Sequence, residues 1–170
     1  EFNIEIEQIN EEKYEPKEFD LRQTAEHNAK LFYKKYKKPV IVDDTGVFFK
    51  AYNEFPGNHP KLIFNMLGYK GLLKLLENES NEVQFKTVVG YCDKDGVKTF
   101  EGTLDCIVDN KVHDEDKDVL PYERILLVNE KPISSMSRFD KNKISHRAKA
   151  FRKVIRMLSN KQKQQNKQKI

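Results

Sequence analysis

Two adjacent carboxylates follow a short apolar run early in the chain. Val40-Ile41-Val42 has the continuous apolar pattern of a buried strand, and Asp43-Asp44-Thr45-Gly46 comes directly after it. In open α/β sheets, ligands bind at the carboxyl ends of strands. Two neighbouring carboxylates there repel each other unless they share a cation, so they predict Mg²⁺ and a phosphorylated substrate. The same residues are also typical of a solvated turn.

A second cluster is cationic and lies near the end of the chain, at Lys141-Asn142-Lys143-Ile144-Ser145-His146-Arg147. Ser145 is predicted to cap the last helix, which places His146 and Arg147 in its first turn. Cationic side chains at this end oppose the helix dipole, so they cost stability unless an anion or an acceptor-rich ligand binds. A solvated basic first turn is the alternative interpretation.

A third candidate is Lys61, which follows Phe55-Pro56-Gly57. The Pro-Gly pair breaks the chain and would direct Lys61 from the start of a helix. A single lysine is more often an ordinary surface residue than a ligand contact, so this position alone carries little weight.

The elements that position these residues form one α/β domain in the sequence pattern. Alternating apolar residues predict a strand over 2–9, and Asp20 is placed to cap a helix that runs to about Lys37. The remaining pattern predicts helical pieces over Lys61–Leu67 and Gly71–Glu77, strands over Val83–Cys92 and Lys98–Val108 joined by a turn at Asp93-Lys94-Asp95-Gly96, a strand over Ile125–Val128, and a helix over Ser145–Leu158.

The net charge of +4 comes from the end of the 170-residue chain. Eleven Lys and Arg residues and no acidic residue follow Asp140, whereas the first 140 residues hold 20 basic and 27 acidic residues. We predict a single domain over 1–160 and a disordered Lys/Gln-rich tail over 161–170. Nucleic-acid binding by the basic end is an unfavoured alternative, because no aromatic platform accompanies the charge.

The sequence has no apolar stretch long enough for a membrane span and no secretory signal at its start. It has two cysteines, Cys92 and Cys106, which are not arranged as a metal motif. We therefore expect a soluble, cytoplasmic protein whose two thiols are free, and no membrane partner.

Taken in order, the motifs VDDTG, FPG with a nearby lysine, FKTVVGYC and KNKISHRAKAFRK closely resemble the inosine triphosphate pyrophosphatase family, and its archaeal members most closely. The resemblance covers about residues 4–158. It implies a homodimer of α/β subunits, each with an elongated mixed β-sheet flanked by helices and two lobes around a substrate cleft. It also implies an enzyme that hydrolyses ITP, dITP or XTP to the monophosphate and pyrophosphate with Mg²⁺.

The resemblance assigns the carboxylates to the metal and the phosphates. Asp44 matches the catalytic, metal-linked carboxylate and Asp43 its acidic neighbour, and both are expected to bind Mg²⁺ together with Glu15, for which Glu18 is the alternative. The expected contacts to the substrate are Thr45, Gly46, Lys61, Tyr122, Glu123, Lys141, Ser145, His146 and Arg147. Among these, Lys61 matches a phosphate-contacting lysine, and the last four match residues that read a 6-keto purine, because donors aimed at O6 reject the amino group of adenine.

The sequence departs from the family pattern in three places, one of which is the exchange of Glu15 and Pro16 that leaves Glu18 as an alternative ligand. Family members begin with a strand and a Thr-Gly-Asn-x-x-Lys phosphate loop, and this sequence, which starts without Met, is expected to be truncated or to lack that element. The segment 119–125 replaces the family's Gly-Phe-Gly-Tyr-Asp-Pro, in which the Phe stacks on the base. These departures leave a second hypothesis open, namely a catalytically weakened nucleotide-binding paralogue.

Overall fold

A computed structural model describes residues 4–16, 18–53 and 55–167, and these form one antiparallel sheet with helices on both faces. The elements in chain order are α1 (Leu21–Tyr36), β1 (Val40–Phe49), β2 (Pro56–Gly57), α2 (Pro60–Leu75), β3 (Glu82–Asp93), β4 (Gly96–Val108), a 3₁₀ turn (Pro121–Arg124), β5 (Leu126–Val128), β6 (Lys131–Pro132), a second 3₁₀ turn (Ile133–Ser135), α3 (Arg138–Ile144) and α4 (His146–Lys167).

The six described strands lie in the order β2-β1-β3-β4-β5-β6. Helices flank the sheet, which confirms the predicted α/β class. The prediction of a mixed sheet differs in one respect, because every pair among the described strands is antiparallel. The pairs β1–β2, β3–β4 and β5–β6 are neighbours both in the chain and in the sheet, whereas the connection from β2 to β3 contains α2 and crosses β1.

Strand β1 is longer than the sequence pattern indicated. The prediction that Asp43 and Asp44 follow the end of a three-residue strand is wrong, since both lie inside a ten-residue strand. The reason is tertiary pairing: all ten residues of β1, from Val40 opposite Cys92 to Phe49 opposite Val83, pair with β3. Cross-strand pairing overrides the turn preference of an Asp-Asp sequence.

The hairpin of β3 and β4 is confirmed where the turn signal placed it. Asp93 pairs with Gly96 across a two-residue loop, and Gly96 has a φ of 110°, which suits glycine. Helix α2 is confirmed as two pieces, because Gly68 interrupts it with a φ of 59°. Helix α1 is confirmed with Asp20 as its N-cap in a capping box with Gln23.

Helix α1 covers one face of the sheet through small residues. Gly90 of β3 lies so close to the helix that a Cβ would be 2.4 Å from the carbonyl oxygen of Ala25. Buried Ala25 packs with Leu21 and Val88, and buried Ala29 packs with Val42 and Cys92 of the sheet. The small side chains bring α1 against the strands that carry the candidate site.

The opposite face of the sheet carries two apolar clusters. One, the α4 cluster, contains Val89, Tyr91, Ala150 and Val154, and the other, the α2 cluster, contains Val47, Phe49, Leu72, Val83, Phe85, Leu104, Tyr122, Ile125 and further residues. The strand residues of the two clusters lie on the same face of the sheet because, along each strand, their positions differ by even numbers. Between them runs a row of small residues on three paired strands, Thr45, Thr87 and Gly102.

Two sequence predictions at the chain ends need correction. The predicted strand over 2–9 is absent from residues 4–9, which have no regular structure, and residues 1–3 lie outside the described residues. Ile6 and Ile9 are exposed, and without a partner strand such a segment cannot form the hydrogen bonds of a sheet. At the other end, α4 continues to Lys167, seven residues into the segment predicted to be disordered.

The extension of α4 has a visible anchor. The ammonium of Lys161 lies 2.7 Å from Asp93 and 2.9 Å from Asp95, the two aspartates of the β3–β4 turn. Lys and Gln are good helix formers, so a helix held at Lys161 extends readily beyond it. None of the helices within the described ranges is long and apolar enough to cross a membrane.

Candidate active site

The carboxylates of Asp43 and Asp44 lie on opposite faces of the sheet, because successive side chains of a strand alternate. This part of β1 is also an edge. The neighbouring strand β2 pairs only with Val47 and Phe48, so among the described strands nothing pairs with the outer side of β1 from Val40 to Gly46. A ligand at this edge can therefore reach both faces, which a central strand would not allow.

Asp44 faces α1 and is bound by Lys13. The Lys13 ammonium lies 2.9 Å from Oδ1 of Asp44, donates to the main-chain oxygen of Asp43 at 2.9 Å and lies 3.9 Å from Oε1 of Glu15. Asp44 is 7% exposed, and its burial raises its pKa above the usual range despite the opposing charge of Lys13. Glu15 raises it further, which indicates that the two carboxylates share one region.

The segment that carries Lys13 and Glu15 is fixed to α1 at one residue. The main-chain N–H of Tyr14 donates to Oδ1 of Asn28 at 2.8 Å, and Nδ2 of Asn28 donates to the carbonyl of Tyr14 at 2.7 Å. Asn28 is fully buried. Its amide therefore acts as a two-point clip that brings an otherwise irregular segment to the edge of β1.

Asp43 faces the other side and pairs with Arg147 at the start of α4. Nε and Nη2 of Arg147 lie 2.9 Å and 2.7 Å from Oδ2 of the carboxylate. The pair explains how an arginine is tolerated in the first turn of a helix, where a cation is unfavourable on its own. Beside it, the hydroxyls of Thr45 and Thr87 are 2.7 Å apart.

His146 lies between the two apolar clusters. Its ring stacks on Phe85 with centroids 4.7 Å apart and an interplanar angle of 8°. Burial, with smaller contributions from Arg147 and Lys149, lowers the pKa of His146 to about 4, so the imidazole is neutral at pH 7. Its Nδ1 is buried and has no hydrogen-bond partner. A buried ring nitrogen without a partner calls for an explanation, such as a contact to a ligand group or to an ordered water.

Most of the remaining predicted residues have structural contacts. Lys141 forms a 3.0 Å ion pair with Glu123, and the Ser145 hydroxyl accepts from the N–H of Ala148 at 3.1 Å, which confirms its capping role. Tyr122 is 5% exposed and donates to the carbonyl of Pro60 at 3.0 Å, so it is a core residue. Lys61 is exposed in the first turn of α2.

Gly46 serves the packing of β1 against β2. A Cβ at this position would lie 2.6 Å from the carbonyl oxygen of Gly57. Glu15 and Glu18, the two alternative metal ligands, are both exposed, but Glu15 lies 3.9 Å from the Lys13 ammonium that holds Asp44. The structure thus groups Asp44 with Glu15, and Asp43 with Arg147 and His146.

Four residues of this arrangement were not predicted, and one of them is Asn28. Lys13 gave no sequence signal, because one lysine among several acidic residues looks like a solvated surface. Thr87 and Phe85 were assigned to a strand without a role. For Thr87 a signal existed: a polar residue at a buried position of an apolar strand normally has a partner, here Thr45.

A hard divalent cation fits the donors around Asp44. Two carboxylates and a main-chain oxygen already surround one cation, the Lys13 ammonium, and all are oxygen donors of the kind that Mg²⁺ prefers. Within the described parts of the chain, no three His, Cys, Asp or Glu side chains converge on one point. A metal here would need oxygens from water or from a substrate to complete its shell.

A buried carboxylate at a strand edge, beside a cationic helix start, is typical of proteins that handle phosphorylated ligands. The model of the Ham1 family matches residues 1–157. The chain therefore belongs to this family. The chain is 35% identical to the dITP/XTP pyrophosphatase of Saccharolobus solfataricus over 92% of this chain and 82% of the relative. It is 31% identical to that of Methanopyrus kandleri over 94% and 86%.

Solved structures agree with the fold. A HAM1 protein from Coxiella burnetii superposes with a TM-score of 0.75 at 19% identity, covering 88% of this chain and 81% of that one. The Ham1 protein of Staphylococcus aureus gives 0.70 at 22% identity, covering 86% and 80%. The similarity to the pyrophosphatase family and to its archaeal members, expected from the motifs, is thereby confirmed.

Proposed function

We propose that this protein is a nucleoside-triphosphate pyrophosphatase, which hydrolyses non-standard purine nucleotides such as dITP, ITP and XTP to the monophosphate and pyrophosphate. The observation that carries the proposal is its identity with curated dITP/XTP pyrophosphatases over nearly the whole chain. The buried carboxylate at the edge of β1 supports it, because such a group is needed to direct water at a polyphosphate.

Asp44 is the proposed catalytic carboxylate, with Glu15 and Asp44 as the carboxylates that would hold Mg²⁺. Bound there, the metal would supply Lewis-acid neutralisation of the phosphate charge. Burial makes Asp44 a stronger base than an exposed aspartate, which suits it to orient the attacking water and accept its proton. Asp43 lies on the other face, so we propose that it acts through Arg147 rather than as a metal ligand.

The proposed base-recognition group is at the start of α4. His146 offers an unpartnered Nδ1, and Arg147 keeps N–H groups beyond those given to Asp43. N–H groups here would donate to the 6-oxygen of hypoxanthine or xanthine, whereas the 6-amino group of adenine is itself a donor and would meet them unfavourably. Lys61 remains a proposed phosphate contact, and Lys141, Ser145, Thr45 and Gly46 remain proposed contacts to the substrate. Buried Tyr122, and Glu123 paired with Lys141, are assigned to holding the segment in place.

The test measures pyrophosphate release from ITP, dITP, XTP, dUTP and the four standard ribonucleoside triphosphates with Mg²⁺. Turnover of the 6-keto nucleotides well above that of ATP is expected. Asp44→Asn should lower the rate by a factor of about 100 or more, since it removes the base without changing shape. Asp105→Asn is the matched control, because Asp105 is an exposed strand residue on β4.

The competing hypothesis is the catalytically weakened paralogue. Calorimetry that shows nucleotide binding, with no pyrophosphate released from any triphosphate, would favour it and contradict the enzyme. Equal loss of activity in Asp44→Asn and Asp105→Asn would instead remove Asp44 from the mechanism.

We also propose that the protein is a cytoplasmic homodimer. The described cysteines Cys92 and Cys106 are buried and unpaired, as suits a reducing compartment. Leu62 and Met66 are exposed one turn apart on α2 and offer an apolar face for a second copy. Light scattering with size exclusion should give the mass of a dimer, and Met66→Lys should give that of a monomer.

A further inference from the structure

We propose that Lys13 is a tethered counter-ion of the Asp44–Glu15 pair, and that a divalent cation must displace its ammonium in order to bind. The proposal rests on the proposed function, because it takes that pair as the metal site. Beyond that function, it assigns to Lys13 the role of controlling how tightly the site binds a metal ion.

The contacts of Lys13 are those of a bound cation. Its Nζ is 2.9 Å from a carboxylate oxygen of Asp44, 2.9 Å from the main-chain oxygen of Asp43 and 3.9 Å from a carboxylate oxygen of Glu15. The Lys13 side chain is 29% exposed and that of Asp44 is 9% exposed. The ammonium therefore lies in the space that a metal bound by the same oxygens would need.

The position of Lys13 is built into the fold. Tyr14, its neighbour, is clipped by two hydrogen bonds to the buried amide of Asn28. The main-chain oxygen of Asp43 is available because β1 has no partner on its outer side here among the described strands. Because the backbone next to Lys13 is held in place, its side chain loses less conformational entropy when it binds the carboxylate.

Displacement of the ammonium is possible because only its side chain must move. Residues 4–16 form no helix or strand, so the lysine can swing away while the Asn28 clip keeps the backbone in place. Metal and ammonium then compete for one carboxylate, and the apparent metal affinity is reduced by the fraction of protein in which Lys13 occupies the site. Removing the ammonium should raise that affinity.

The experiment measures binding of Mn²⁺ alone, by the electron paramagnetic resonance signal of the free ion, to the full chain. Lys13→Met keeps the length of the side chain and removes the charge, and we expect it to bind Mn²⁺ at least about fivefold more tightly than wild type. Lys13→Arg retains the ion pair and should stay close to wild type. Lys30→Met is the matched control, since it removes a lysine paired with Glu26 on α1.

A thermal-melting series covers the case in which Lys13→Met folds poorly. Without metal this variant should melt below wild type, because a buried carboxylate has lost its partner, and added Mg²⁺ should raise its midpoint more than that of wild type. An equal Mg²⁺ shift in both proteins would overturn the proposal.

The outcomes separate this proposal from the proposed function. Mn²⁺ binding that Asp44→Asn abolishes, but that Lys13→Met leaves unchanged or weakens, overturns the role of Lys13 and leaves the metal site standing. No Mn²⁺ binding by wild type or Lys13→Met overturns both. Equal tightening in Lys13→Met and Lys30→Met also overturns it, since net charge alone would then explain the effect.

Discussion

Stability should fall on mild acidification because of His146. Burial first, and then the charges of Arg147 and Lys149, lower its pKa to about 4 from an ordinary value near 6.5, while Asp43 opposes this. Between these two values the unfolded chain binds a proton that the folded protein excludes. The contribution of neutral His146 to the free energy of unfolding is therefore fully present above about pH 6.5 and is lost as the pH falls towards 4.

The size of the effect follows from the shift. A difference of about 2.5 pKa units is worth about 3 kcal/mol when fully developed, and at about pH 5 roughly 2 kcal/mol of it has been lost. For a domain of this size that is a large share of a total free energy of unfolding of about 5–15 kcal/mol. A single histidine should then be visible above the background of other titrating groups.

The assay is urea denaturation of wild type and His146→Phe at about pH 7.5 and about pH 5. The phenylalanine keeps a flat ring on Phe85 and cannot titrate, so the wild type should lose roughly 2 kcal/mol more than the variant between the two conditions. NMR titration of the His146 ring gives its pKa directly. A ring that titrates near 6.5, or equal losses in both proteins, would refute the reasoning.

Two further expectations concern packing and the end of α4. Gly102→Ala should lower the free energy of unfolding by about 2–4 kcal/mol, since its Cβ would lie 2.1 Å from the carbonyl oxygen of His146; an unchanged urea midpoint would contradict this. Lys161→Met should cost about 1 kcal/mol or less overall yet speed amide exchange in the last turns of α4, because it removes the contacts to Asp93 and Asp95; unchanged exchange there would show that the helix needs no anchor.

Local sequence signals predicted those helices and strands whose ends are marked by nearby capping or turn residues. Asp20 marks the start of α1, and the turn that ends at Gly96 marks the β3–β4 hairpin, so both were recognised from a few residues. The extent of β1 could not be found in this way. Its continuation past Asp44 depends on pairing with β3, some forty residues later in the chain.

The candidate site was predicted in its residue types but not in its grouping. Once β1 is known to continue, alternation alone places Asp43 and Asp44 on opposite faces. The contact of Lys13 with Asp44 joins residues 31 positions apart through an irregular segment, and no sequence period announces it. The resemblance placed Tyr122 at the substrate. Its partners Phe49 and Phe64, which make it a core residue, are distant in sequence and could not be recognised beforehand.

The row formed by Thr45, Thr87 and Gly102 determines how the two halves of the molecule can move. Strands β3 and β4 run without interruption from the α4 cluster to the α2 cluster, and at this row their side chains are small. Because β3 and β4 are continuous strands at this row in the described part of the chain, we expect that closing over a nucleotide would bend the sheet itself rather than rotate one cluster about a loop.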